Sequence, residues 1–144
     1  MSTTSNEIQF IGTYAGQKNP EANSSAAFAL VTNQGDEAVN IIKWESSTVP
    51  MVMPMYFGLD ENNIWTMINV PSGKVNVAPG VPTLFAPGYL HMMLMNLSAN
   101  LPDSFDITFT IETESGSKFT KTVSFETIEW DQLVRQNIVS KPVL

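Results

Sequence analysis

The feature that most limits how this chain can fold is the recurrence of short alternating runs. Apolar and polar residues exchange places at a period of two, and each run is closed by Gly, Pro, Asn or Asp after about ten residues. Residues 105–112 carry Phe105, Ile107, Phe109 and Ile111 on every second position. Glu114-Ser115-Gly116-Ser117 supplies a hairpin turn, and residues 119–125 resume the alternation. Further strands are expected over residues 8–14, 26–32, 38–44, 51–56, 64–68, 74–77, 83–85 and 90–97. No stretch before residue 127 has the spacing of an amphipathic helix of ordinary length. Residues 1–7 read as a flexible leader, and Trp130, Leu133, Val134 and Ile138 suggest a short helix over 130–137. The pattern predicts an all-β chain: an antiparallel β-sandwich of seven to nine strands.

With 144 residues and 43% hydrophobic content, the chain can bury one core, and nothing marks a linker or repeat. One domain over 1–144 is expected, with its core at about 8–125 and a tail at 126–144. A net charge of −7 argues against nucleic acid or an anionic membrane as a partner and does not oppose a cation. No apolar run is long enough for a membrane span. Cysteine is absent, which excludes disulfides, thiolate nucleophiles and cysteine-based zinc or iron–sulfur sites.

The chemistry concentrates in two segments. Gly88-Tyr89-Leu90-His91-Met92-Met93-Leu94-Met95-Asn96-Leu97 holds the single histidine and three of the eight methionines. On a strand, His91, Met93 and Met95 share one face, and Leu90, Met92 and Leu94 share the other. In Pro50-Met51-Val52-Met53-Pro54-Met55-Tyr56 every second residue is methionine, so Met51, Met53 and Met55 also share a face. Pro50 and Pro54 cannot donate to a ladder, which predicts an edge or irregular strand there. Met67 returns toward these methionines across a hairpin turning at residues 58–63.

Two readings fit this pattern. Methionine fills irregular core gaps, so a sulfur-rich strand can be packing alone. Thioethers with one imidazole also suit Cu(I), a soft monovalent ion. Protons do not compete at thioether sulfur, and thioethers form no disulfides in an oxidising compartment. Catalysis is poorly served. His91 is the one good neutral-pH base, no Gly-x-Ser-x-Gly elbow or phosphate-binding glycine loop occurs, and Asp36-Glu37 and Asp60-Glu61 read as turn residues. The chain is therefore expected not to be an enzyme.

The run from Pro87-Gly88-Tyr89 through His91-Met92-Met93-Leu94-Met95 resembles the periplasmic Cu(I) chaperones associated with assembly of the Cu(A) centre of cytochrome c oxidase. Ala26-Ala27-Phe28 with Asn33-Gln34-Gly35-Asp36-Glu37-Ala38, and the hairpin over 105–125, are similar to further parts of that family. The resemblance implies a cupredoxin-like Greek-key sandwich that carries Cu(I) to an acceptor metalloprotein such as cytochrome c oxidase or its assembly factors. It also implies a periplasmic or secreted location, with the signal peptide absent from this sequence. The family's motif is His or Met, ten residues, Met, twenty-one residues, then His-x-Met. His91 and Met93 match its end. Met67 is the middle methionine at a gap of twenty-three residues (68–90), and Met55 is the first ligand at a gap of eleven (56–66). Met53 and Met51 are alternates for that first position, which strict counting places at Tyr56. The alternative to the copper reading is a β-sandwich interaction module with a methionine-rich apolar surface and no functional copper site.

Overall fold

The computed structural model describes residues 4–18, 21–87 and 89–129. Ten strands occur among them: β1 Ile8–Gly16, β2 Ser25–Asn33, β3 Val39–Glu45, β4 Met51–Leu59, β5 Trp65–Asn69, β6 Val75–Val77, β7 Thr83–Phe85, β8 His91–Met95, β9 Ser104–Thr113 and β10 Lys118–Ile128. The all-β expectation holds. The count of ten exceeds the seven to nine expected for the sandwich, because even the short runs β6 and β7 each complete a ladder, on β3 and β2 respectively, so all ten expected runs form strands. Residues 4–7, expected to be a flexible leader, include a 3-10 turn over Ser5–Glu7. The Thr4 N–H donates to the Glu7 carboxylate at 2.9 Å, and Lys121 Nζ donates to the Ser5 carbonyl at 2.9 Å, so charge and backbone anchor this turn. The helix expected over 130–137 lies outside the described residues. No described helix is long and apolar enough to cross a membrane.

The strands run in the order β5-β4-β8-β2-β1-β10-β9-β3-β6, with β7 also on β2. The path curls so that its two ends face each other. Val39, Ile41, Val75 and Val77 from one end share a core with Val52, Met92 and Leu94 from the other. Every ladder is antiparallel except β1 with β10, where Tyr14 pairs with Glu126 and Gly16 with Ile128. A bulge in β1 accompanies this join. Gly12 takes φ +65°, where a Cβ would be strained, and one extra β1 residue enters between the Ile11 and Tyr14 pairings. The insertion reverses the alternation. Phe10, before the bulge, packs into the main core, whereas Tyr14, after it, joins Ala26, Phe28 and Ile128 on the opposite side of the sheet.

Aromatic contacts hold the two layers together. Phe109 stacks on Phe10 at a centroid distance of 4.5 Å and takes the edge of Trp44 at 5.6 Å. Trp44 satisfies its indole N–H on the Gly73 carbonyl at 2.9 Å. The turn after β2 is fastened by buried Asn33, whose amide donates to the carbonyls of Glu37 and Val77. Phe109→Ala, at a fully buried position, is expected to cost about 3–5 kcal/mol in urea unfolding. A loss below about 1 kcal/mol would show that the aromatic cluster does not hold the layers.

Candidate metal centre

The two prolines predicted an edge or irregular strand; β4 lies between β5 and β8, so it is not the edge, and β5 is. The reason is directional. The Pro54 carbonyl accepts from Val70 N–H on the β5 side, so the position without an N–H also faces β5. The β4–β5 ladder ends at Met55–Asn69, so Pro54 forfeits no ladder bond.

The β4–β8 register brings the two methionine segments together. Met55 stands opposite His91, Met53 opposite Met93, and Met51 opposite Met95. Directly opposed residues have Cα atoms about 4.5–5.5 Å apart and project to the same face. The other face is core: Val52 opposes Leu94 and Pro54 opposes Met92, and all four are buried. Both alternations expected from the sequence are therefore present: Met51, Met53, Met55, Met93 and Met95 lie on the side away from the main core, and Met92 lies in it.

Met67 returns in β5, but opposite Phe57. It is the diagonal neighbour of Met55, at about 7–8 Å between backbones, within reach of a long thioether side chain. Asn69 is the direct partner of Met55 on that side. Met67 is 48% exposed, and beside it Phe57 and Trp65 stack with ring centroids 5.7 Å apart. Tyr56 pairs with Ile68 and so faces away from the methionines, and Tyr89 is exposed.

His91 is only 3% exposed. Its Nδ1 lies 2.8 Å from the Tyr89 carbonyl. A carbonyl can only accept, so Nδ1 carries the proton and Nε2 of the neutral ring presents a lone pair. That Nε2 is buried and finds no hydrogen-bond partner among the described residues. Leaving a buried acceptor unpaired costs about 1–3 kcal/mol. An imidazole oriented through one nitrogen, with the other bare, is the usual arrangement of a metal-ligating histidine. The sequence offers no sign of this orienting group, because it is a backbone carbonyl. The local turn explains it: the Ala86 N–H donates to the Leu90 carbonyl at 2.7 Å and the Tyr89 N–H to the Ala86 carbonyl at 3.2 Å, which brings the Tyr89 carbonyl under the ring.

Around His91 the surface is neutral. Strands β4, β5 and β8 contain no charged residue. Among the described residues no group of three or more His, Asp or Glu side chains could hold a metal ion. Hard dications need converging oxygens, and this face supplies thioethers and one imidazole instead. Ala26 opposes Met93 from β2 and clusters with Phe28 and Ile128 on that side of the sheet.

The model of a lipoprotein family described as LpqE-like matches residues 8–125. No curated protein matches. Among solved structures, the apo PCuAC domain from PmoF1 is similar with a TM-score of 0.62 and 10% identity, covering 89% of this chain and 100% of that one. The copper-bound PCuAC domain from PmoF2 follows at 0.59 and 15% identity, covering 89% and 99%. These likenesses bear out the fold expected from the sequence resemblance. Nitrogen-15 NMR of the metal-free protein is expected to show His91 as the Nδ1–H tautomer. An Nε2–H tautomer would mean that the Tyr89 carbonyl does not orient the ring.

Proposed function

This chain belongs to the LpqE-like family, and from that premise we propose that it binds Cu(I) through thioethers and one imidazole and hands the ion to an acceptor metalloprotein. The observation that carries the proposal is the bare, buried Nε2 of His91 on a face lined by methionines and free of charge. The ligands are Met55, Met67, His91 and Met93. Met55 is preferred over its alternates Met53 and Met51 because it stands directly opposite His91. Met93 lies one step further along β8, and Met67 closes the set from β5. The copper in the PmoF2 domain of the same fold supports the choice of metal.

The donor set favours the monovalent ion. Neutral thioethers stabilise a soft d¹⁰ cation and bind Cu(II), Zn²⁺ or Mg²⁺ poorly. The site holds its cargo without an ordered hydrogen-bond network, so a competing thioether or imidazole of an acceptor can displace the ligands one at a time. Cytochrome c oxidase, or a factor that assembles it, is the acceptor that the sequence resemblance favours. The lipoprotein description of the family supports work in the periplasm or outside the cell. Residues 1–144 act as one domain in this reading.

A second reading is favoured by one observation. Phe57, Leu59, Ile64 and Trp65 are all exposed around the β4–β5 hairpin, which suits an apolar interaction surface. Copper handling and docking can share this face; a module without copper is the alternative.

Anaerobic competition against a Cu(I) chelator separates them. His91→Ala and Met93→Ala are each expected to weaken the tight site at least tenfold, about 1.4 kcal/mol. Unchanged affinity in both variants would overturn the ligand assignment, and no binding by the unaltered protein would leave the interaction module. Zn²⁺ at the same concentration is expected not to displace Cu(I); displacement would contradict the soft-site argument.

A further inference from the structure

Three methionines on the same face lie outside the four-residue set. Met51 and Met95 oppose each other, and Met53 sits one step along β4, diagonal to Met95. Met51 is 45% exposed, whereas Met53 and Met95 are half-buried. Their counterparts on the reverse face, Val52 and Leu94, do the core packing, so hydrophobic burial does not explain sulfur at these positions.

We propose that Met51, Met53 and Met95 form a second, histidine-free site for a soft monovalent cation, Cu(I) or its analogue Ag(I). Three neutral sulfurs on two adjacent rungs satisfy a three-coordinate d¹⁰ ion, whose geometry is not dictated by d electrons. No carboxylate or imidazole lies on this stretch of the two strands, so neither a hard dication nor a proton competes there.

The two sites adjoin. Met53 of the second stands directly across the ladder from Met93 of the first. The Met51–Met95 rung lies four residues, about 13 Å, from the Met55–His91 rung. An ion can move between them by exchanging one Cu–S bond for another at Met53 and Met93, with no change of oxidation state and no proton transferred. The exposed Met51 end is then the station open to solvent, and buried His91 the holding end. This role rests on the copper reading, although the second site uses none of the first site's ligands.

The test is an anaerobic Cu(I) titration with chelator competition and X-ray absorption, on the unaltered protein, on His91→Ala, and on the double variant Met51→Leu with Met95→Leu. Leucine conserves volume, so the double variant is expected to keep its fold. The unaltered protein should take two equivalents. His91→Ala should keep one equivalent with a sulfur-only coordination shell. The leucine variant should keep one equivalent whose shell includes nitrogen. If the leucine variant binds as many equivalents as the unaltered protein, or if His91→Ala binds none, the second site is refuted while the first stands. If the leucine variant loses all binding and His91→Ala loses none, the second site stands and the His91 assignment falls. No binding by the unaltered protein refutes both.

Discussion

The methionine face depends on one antiparallel register, in which Met55 of β4 meets His91 of β8. A slip of one residue would turn Met51, Met53 and Met55 into the core and expose Val52 and Pro54. The reverse side of the ladder prevents it. Val52 is buried in the main core with Met92 and Leu94, and it loses about 1.5–3 kcal/mol if turned to water. Hydrophobic burial on one face thus sets the geometry of sulfur on the other. The chemistry of the site needs no energy of its own to stay in register.

Pairing alone would leave a flexible imidazole among flexible thioethers. The bond between Nδ1–H and the Tyr89 carbonyl restrains the ring and directs the lone pair of Nε2 into a buried, uncharged space. The site therefore combines a rigid nitrogen with adaptable sulfurs. That combination suits an ion that must be held and then released, because thioether side chains reorient at little cost. At the outer side, the hairpin carrying Phe57, Trp65 and Met67 exposes apolar surface next to the proposed ligands, so a partner that buries it would also approach an ion held as proposed.

Some errors of the sequence reading have specific causes. Two prolines argued for an edge or irregular strand, but the missing N–H of Pro54 faces the end of a ladder, so β4 is paired on both sides. Residues 4–7 read as unstructured because a three-residue turn has no periodicity, and the Lys121 contact that holds it comes from a strand far away in sequence. The parallel β1–β10 pairing was invisible for a similar reason. It follows a bulge at Gly12 and joins the first and last described strands, and alternation within a strand says nothing about its neighbours.

Alternation and turn residues by themselves determined that this chain is all-β and that His91, Met93 and Met95 share one face while Met51, Met53 and Met55 share another. Absent cysteine excluded thiolate chemistry, and the methionines with one histidine left either packing or a soft-metal site as readings. The tertiary structure decided that the two faces are the same face, which methionine stands opposite which partner, and that Met67 lies diagonal to Met55. It also decided which backbone carbonyl orients the histidine. The physical reason is that side-chain period is a local property of each strand. Strand order, register and the burial of a single unpartnered nitrogen arise only when distant segments bury their other faces together.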